Sequence, residues 1–450
     1  MTFKLNQGQL HAEQRLREFM ADPNRQVIIV VGPGGSGKTH STADFVGKNF
    51  DQLKPVCLTA PTNKATGVLG NFAKDVGRFI PTMTIYKLLG IVVGADGEEK
   101  TTFSAHDGML DRFKTVILDE GSMAGYVLCN KIRDKLEENP YVKIIVMMDK
   151  CQLPPVNETM TQLLEFGEVI ELTEDMRSGN GPLLQVKRAV RDITLARLKG
   201  KLTKEISHKF ETHVEGEDQS GVHLLTGKDF DDAMLDQFDT EEYRNDPNTV
   251  RALAWTNKEV DRMNRIIRSR IYGKGCEAYV VGERICVLTP VRGENDEPIL
   301  DTDEEVTVKS LEVVDYVDYT DQDATDDVRR TYKAFRAELE RANGQVVKVH
   351  LLHPDSKRKF ERRLSFIADQ CHAKKRPWKQ FWAFKEELFV NARPAHALTI
   401  HKSQGQTFKC VFLNLRDAMN NKNNVERSQL VYVGVSRPTT DLVVNLKTFY

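Results

Sequence analysis

Val27-Ile28-Ile29-Val30-Val31-Gly32-Pro33-Gly34-Gly35-Ser36-Gly37-Lys38-Thr39 is the stretch on which the fold turns. Five β-branched residues in a row suit a strand buried on both faces, and such strands belong to parallel sheets covered by helices. The strand runs straight into the pattern G-x-x-x-x-G-K-[ST]. Its glycines let backbone N–H groups wrap a chain of phosphates, and the positive end of the next helix adds to their pull. Lys38 supplies a point charge to the β- and γ-phosphates, and the Thr39 hydroxyl a ligand to Mg²⁺. A plain glycine-rich turn before a helix is the competing reading. The strand in front of the loop is the context a phosphate cradle requires, and it decides against that reading.

Outward from this loop, short apolar runs alternate with helical patterns. Val56–Ala60, Thr115–Leu118 and Lys143–Met148 read as further buried strands, so the first part of the chain is an α/β domain with a mostly parallel sheet. A second set of strand-like runs lies at 252–255, 398–401, 411–415, 430–435 and 442–446, its first member separated from the rest by a long gap. A second α/β domain with an insertion between about residues 283 and 392 explains that gap. Within the insertion, 284–289, 305–314 and 345–352 alternate like strands of a small β-barrel, followed by helical material. A smaller insertion lies between Tyr86 and Lys114, where Gly94-Ala95-Asp96-Gly97 reads as a hairpin turn between 91–93 and 101–103.

Composition narrows the function. Lys and Arg number 64 against 65 Asp and Glu, so any polyanion must be held in a local groove and not by bulk charge. The balance is uneven, however: 294–327 is acidic except for Lys309, and 328–385 is rich in Lys and Arg, which marks a distinct module. The seven cysteines are scattered, with no CxxC pair and no His/Cys spacing for zinc, so neither disulfides nor a structural metal are expected. Mean hydropathy is −0.44, and no apolar run approaches the roughly 20 residues that span a bilayer. A soluble cytoplasmic protein without a membrane partner is the expectation.

A phosphate loop needs acids on a neighbouring strand. Val116-Ile117-Leu118-Asp119-Glu120 supplies an apolar strand that ends in two. Asp119 would hold Mg²⁺, and Glu120 would activate the attacking water as general base. The next strand leads into Asp149-Lys150-Cys151-Gln152-Leu153-Pro154-Pro155, where Gln152 can orient the γ-phosphate or the water. Arg177, in Leu172-Thr173-Glu174-Asp175-Met176-Arg177, and Arg437, after the 430–435 run, would reach the γ-phosphate from the two domains and stabilise the charge of the transferring group.

With these residues assembled, the chain resembles a superfamily 1 helicase of the 5′→3′, RecD-like branch. The segment 5–12 looks like the adenine-reading Q motif, with Gln9 as the amide. Leu58-Thr59-Ala60-Pro61-Thr62-Asn63-Lys64-Ala65 looks like motif Ia and Thr84-Ile85-Tyr86-Lys87-Leu88-Leu89 like motif Ib. Leu398 to Thr407 matches motif V, and Gln429 to Arg437 matches motif VI. Arg376-Pro377-Trp378-Lys379-Gln380-Phe381-Trp382, the overall length and the basic helical material resemble the T-even phage members of this branch.

The resemblance implies a fold class of α/β: two RecA-like P-loop domains, a β-hairpin pin inserted in the first and an SH3-like barrel plus tower in the second. The corresponding domains are 1–83 with 109–183, the pin at 84–108, 184–282 with 392–450, and the insertion at 283–391. It implies ATP and Mg²⁺ as cofactors, with Gln9, Gly32, Gly34, Gly35, Ser36, Gly37, Lys38, Thr39 and Gly405 on the nucleotide and Thr39 and Asp119 on the metal. DNA contacts fall on Pro61, Thr62, Asn63, Tyr86, His401 and Lys402, with Phe103 as the aromatic tip of the pin. Single-stranded DNA and fork duplex are the implied partners, and a single-strand-binding protein is a further candidate. Trp255 is a second candidate for base stacking, whereas Trp378, Phe381 and Trp382 at spacings of three and four suit a packing face that braces the pin. Four positions depart from the family pattern: Met148 stands where Gly precedes Asp149, Gly121 follows Asp119-Glu120 in place of an apolar residue, and Asn63 and Tyr86 each replace a common His.

The activity implied is ATP-driven 5′→3′ unwinding of DNA. A strand translocase that strips proteins but unwinds poorly is the alternative, and the pin hairpin argues against it. A small-molecule P-loop kinase leaves the second α/β domain and 401–407 unexplained. A degenerate nucleic-acid-binding subunit would not keep Lys38, Thr39, Asp119, Glu120, Gln152, Arg177 and Arg437 together.

Overall fold

The computed structural model describes residues 5–93, 99–101, 109–155, 158, 160–173, 181–201, 206–216, 220–292, 298–319 and 331–446. Arg177, Phe103 and the 94–97 turn lie outside the described residues. The chain forms two compact units, one of residues 1–234, 248–260 and 398–450, the other of 235–247 and 261–397.

In the larger unit, the first half contains β1 (Val27–Val31), β2 (Val56–Ala60), β3 (Thr82–Thr84), the short hairpin β4 (Ile91–Val93) and β5 (Glu99–Thr101), β6 (Thr115–Leu118), β7 (Lys143–Met148) and β8 (Glu168–Glu171). Six of these make one sheet in the order β3-β2-β6-β7-β1-β8, every pair parallel. Alternate residues of its central strands feed two cores. Ile28, Val30, Leu58, Ile117 and Ile145 pack on one face, and Val27, Ile29, Cys57, Val116, Ile144 and Val146 on the other. Burial on both faces is why these strands read as unbroken apolar runs. β3 and β8 lack such runs, each having intermediate or exposed positions at the sheet's edges, and they escape sequence reading for that reason. The hairpin pairs Ile91 with Thr101 and Val93 with Glu99, so its second arm begins two residues earlier than the expected 101–103.

Two of the helices that follow these strands, α3 and α4, begin at threonine caps. The α1 helix (Gln7–Ala21) starts with a capping box in which Asn6 accepts from the Gln9 N–H and Gln9 accepts from the Asn6 N–H. The α2 helix (Lys38–Leu53) grows from the phosphate loop. The α3 helix (Asn63–Val76) and α4 helix (Ile85–Leu89) are capped by the Thr62 and Thr84 hydroxyls, which accept the N–H of Ala65 and Lys87. Such caps contribute about 1 kcal/mol each and fix where strand gives way to helix.

The second half of this unit contains β9 (His213–Glu215), β10 (Ser220–Leu225) and β11 (Val250–Ala254) before the chain leaves for the insertion.

The insertion, in the smaller unit, carries β12 (Arg284–Val287), β13 (Val291–Arg292), β14 (Pro298–Leu300), β15 (Glu305–Val317), β16 (Thr331–Glu340), β17 (Val346–Leu352) and β18 (Ala392–Pro394). Five form an antiparallel sheet in the order β17-β16-β15-β12-β18. β16 serves two cores: Phe335, Ala337 and Leu339 face one way, while Tyr332 and Ala334 lie with Ile367, Phe384 and Phe389 under the helices Pro354–His372 and Trp378–Glu386. Below these strands, Glu283 is fully buried and held by Arg268 at 2.6 and 3.0 Å. His396 joins Glu283 to the Tyr243 hydroxyl, with Nδ1 2.6 Å from that oxygen.

The chain returns to the larger unit through β19 (Ala397–Thr399), β20 (Phe408–Leu413) and β21 (Pro438–Asn445), giving a second sheet of order β19-β11-β20-β21-β10-β9. One expectation is corrected here. The 430–435 run is not a strand but the centre of the helix Asn424–Ser436. Every residue from Ser428 to Ser436 is buried, so the helix shows no polar face and its apolar run carries no 3.6-residue period to read. At Gly434 an added Cβ would come within 2.8 Å of the Leu413 side chain, so glycine lets the helix press directly on β20.

Candidate active site

Parallel strands deliver their loops to a single edge of the sheet, and the predicted chemistry gathers there. Beyond β1, Gly35 and Gly37 have φ of +92° and +77°, values that other residues avoid. A Cβ at Gly32 would lie 2.6 Å from Ser36 Oγ and 2.8 Å from the Leu172 carbonyl, so the loop closes only with glycine at that position. The Gly32 N–H donates to the Met148 carbonyl at 3.1 Å, tying the loop to the end of β7. Lys38 Nζ donates to the carbonyls of Gly32 (2.6 Å) and Pro33 (3.0 Å). Ser36 Oγ is buried without a hydrogen-bond partner, a position costing about 1–3 kcal/mol unless a ligand satisfies it. A phosphate oxygen is the acceptor that this hydroxyl, the loop amides and Lys38 suit. Gln9 is buried behind the loop, its Nε2 donating to the Ser36 carbonyl at 3.3 Å.

At the end of β6, Asp119 accepts the Glu120 N–H at 2.8 Å, and its own N–H donates to the Thr59 carbonyl. Burial pushes the Asp119 carboxyl up, opposed by that backbone hydrogen bond and by the Lys38 charge. Glu120 has φ of +52°, a conformation costing of the order of 1–3 kcal/mol in a residue with a side chain. Burial, and then the neighbouring Asp119 charge, raise its carboxyl to about 7, against the pull of Arg437 and Lys38. A carboxylate poised there is suited to taking a proton from water near neutral pH. Thr39 is exposed in the first turn of α2, and with Asp119 it supplies the hard oxygen donors that Mg²⁺ prefers.

The second half of the unit reaches this edge through two elements, the loop 403–406 and the helix Asn424–Ser436. Arg437 is 6% exposed and caps the helix Asn424–Ser436, with Nη1 donating to the carbonyls of Gln406 (3.1 Å) and Ser403 (3.4 Å). Gly405, at φ of +73°, would place a Cβ 3.8 Å from Glu120 Oε1. Gln152 is gripped twice: its side-chain oxygen accepts from Gln404 Nε2 at 3.4 Å and its carbonyl from Gln429 Nε2 at 2.9 Å. The Tyr432 hydroxyl donates to the buried Asp149 carboxylate at 2.7 Å, whose other oxygen accepts the Cys151 N–H. Thus Lys38, Asp119, Glu120, Gln152, Gly405 and Arg437 converge.

Comparison with known proteins bears directly on this arrangement. Residues 4–206 match the family model described as an AAA domain, and 394–444 match that of a UvrD-like helicase C-terminal domain. The ATP-dependent DNA helicase dda of Enterobacteria phage T4 is 25% identical over 98% of this chain and 99% of its own length. An uncharacterized protein, R530, of Acanthamoeba polyphaga mimivirus is 21% identical over 97% of this chain and 99% of its own. Among solved structures, a Pif1 helicase from Bacteroides in complex with ADP-AlF3 and ssDNA covers 99% of this chain and 94% of its own at a TM-score of 0.50 and 17% identity, a likeness of fold. An AAA domain followed by a UvrD-like helicase C-terminal domain makes the chain similar to the RecD-like superfamily 1 helicases that its motifs resemble.

Two of the departures from the family pattern meet in the structure. A Cβ at Gly121 would lie 2.5 Å from Val146 Cγ1 and 3.2 Å from Met148 Cε. Val146, and next to it the methionine in the place of the family's glycine, fill the space that a larger residue at 121 would need. The candidate DNA contacts are placed less tellingly. Pro61 is buried, Thr62 is committed to its cap, and Asn63 is exposed. Tyr86 and Trp255 are each partly buried against a core. His401 is partly exposed with its pKa lowered by burial, and the Lys402 N–H donates to Thr399 Oγ1. The site also uses Gln404, Gln429 and Tyr432 in ways sequence reading missed. All three lie inside motifs V and VI, but no spacing rule says that they grip the Gln152 loop.

Proposed function

We propose that this chain hydrolyses ATP to translocate 5′→3′ on single-stranded DNA and unwinds duplex ahead of it. The observation that carries the reading is the double grip on Gln152, because it ties the loop beside the phosphate site to the half of the unit that holds Arg437. Lys38 and the loop amides would bind the β- and γ-phosphates, and Gln152 would orient the attacking water. Glu120 would take that water's proton, while Arg437 would stabilise the charge spread over the transferring phosphoryl group. Mg²⁺, held by Thr39 and Asp119, would neutralise phosphate charge. Because Arg437, Gln404 and Gln429 come from one half and Lys38 and Glu120 from the other, loss of the γ-phosphate removes a partner both halves share. That differential contact can drive a change between two grips on a strand. Motifs Ia and V, with Pro61, Thr62, Asn63, His401 and Lys402, are the grips we assign, with Arg177 as a second γ-phosphate arginine and Phe103 at the pin.

The deciding experiment combines two assays. Single-stranded DNA should stimulate ATP hydrolysis, and a duplex with a 5′ tail should be opened where one with a 3′ tail is not. No stimulation would favour a small-molecule kinase. Opening from the 3′ tail would reverse the assigned polarity, and stimulation without opening would mark a translocase.

A further inference from the structure

The two helices of the insertion, Pro354–His372 and Trp378–Glu386, are joined by the turn 373–377. This module is strongly basic in a chain that is nearly neutral. Residues 354–387 hold ten Lys and Arg against five Asp and Glu, whereas the whole chain has a formal charge of −1. At the turn the surface opens into a cavity of about 510 Å³ between His372 and Trp378, with Lys374, Lys375 and Arg376 in its wall.

Three observations indicate that this cavity is built. Lys374 has φ of +56°, the left-handed conformation in which a helix usually ends on glycine, so a cation stands where the backbone favours no side chain. The turn is closed at its base, where the Cys371 thiol contacts the Pro377 carbonyl at 3.6 Å and the His372 and Trp378 rings meet edge to face with centroids 4.9 Å apart. Trp378, expected from its spacing to belong to a packing face that braces the pin, touches His372 and Phe381 of its own module and is 42% exposed even so, although Phe384 in the same helix is buried. The ammonium groups of Lys374 and Lys375 take part in no hydrogen bond or ion pair among the described residues. Complementing the carbonyl end of Pro354–His372 would account for one cation there, but not for both lysines beside a part-exposed indole.

We infer that this turn is a second nucleic-acid site, outside the motor, that takes one or two nucleotides of a single strand. Lys374 and Lys375 would meet backbone phosphates, and the open face of Trp378 would stack on a base. The indole is what selects single strand over duplex, since a paired base has no free face to offer. Phosphate contacts at such a site carry no sequence preference.

The ligand class rests on the function proposed above, but the two fail separately. The test measures the affinity of the full chain for a long oligothymidylate, without nucleotide, over a series of salt concentrations. Lys374→Gln with Lys375→Gln should reduce the slope of log affinity against log salt by about 1.4, the value for two phosphates of a single strand. Trp378→Ala should weaken binding on the order of tenfold at unchanged slope, and Trp378→Phe should keep most of the affinity. The lysine variant should melt like the parent, since both side chains are exposed, and Trp378→Phe, which keeps a ring against His372 and Phe381, separates stacking from any loss of stability in Trp378→Ala. Parent-like affinity and slope in every variant would overturn the site. A changed slope with no effect of Trp378→Ala would overturn its single-strand character. Absence of DNA-stimulated hydrolysis in the parent would instead sink the motor and leave these binding differences readable.

Discussion

At the scale of single residues, the active edge is expensive to maintain, and Glu120 shows why. Its left-handed backbone and its carboxyl raised to about 7 both work against folding. The unfolded chain releases that proton near the ordinary value of 4.5, while the folded chain keeps it to about 7. Between those values the native state binds the extra proton, so the stability linked to this group is present at low pH and lost as pH rises through 7. Glu120→Gln should therefore gain melting temperature relative to the parent between pH 5 and pH 8, while its turnover falls about 100-fold or more with ATP binding retained. The parent's turnover should climb with pH through about 7 as the base deprotonates, and a flat profile would remove Glu120 from that role. Gly121 presents the opposite economy, a site with no room to spare. Gly121→Ala should cost about 1–3 kcal/mol in urea unfolding through overpacking on Val146 and Met148. Adding Met148→Ala should recover part of that loss, and strict additivity would refute the pairing of the two positions.

At the scale of elements, the helix Asn424–Ser436 does more than end in Arg437. It reaches the loop after β7 at two points, through Gln429 to the Gln152 carbonyl and through Tyr432 to Asp149. Tyr432 is 3% exposed, and both burial and the Asp149 charge hold its hydroxyl well above the usual phenol value. It remains a proton donor throughout the range in which the enzyme can be assayed. Tyr432→Phe removes one donor from a buried carboxylate and keeps the ring's packing. The expected cost is about 1.5–3 kcal/mol, the range for hydrogen bonds to charged groups. Because the loop it steadies carries Gln152, turnover should fall while the KM for ATP stays near the parent's, equally at pH 6.5 and pH 8.5. A change in KM alone would mean that the bond shapes the nucleotide pocket and does not position the loop.

At the scale of the whole molecule, what was legible in the sequence follows from where the signal is stored. The phosphate loop, the acids at the end of β6 and the buried central strands are local patterns, and each could be read from a dozen residues. The edge strands β3 and β8 and the helix around Leu430 were missed because partial or total burial erases the periodicity on which sequence reading depends, and the long β16 because it feeds two cores, so that its buried positions change phase between Ala334 and Phe335. The cross-links Gln152–Gln404 and Asp149–Tyr432 were missed for a different reason, since each joins residues more than 250 positions apart. The same long-range stitching extends into the core. Cys151 and Leu153, which follow β7 of the first sheet, are buried in the cluster formed by Val411, Leu413, Leu430 and Val431 of the second half. A loop of the first sheet buried in the core of the second should couple their opening, although each sheet has its own cores and its own hydrogen-bond ladder. Native-state hydrogen exchange should therefore give the amides of β1 and β7 the same opening free energy as those of β20 and β21. Leu153→Ala creates a cavity expected to cost about 2–5 kcal/mol, and it should lower protection in both sheets by the same amount. If only β20 and β21 lose protection, the loop is a passenger in the second core, and the halves fold as separate units joined only through the nucleotide site.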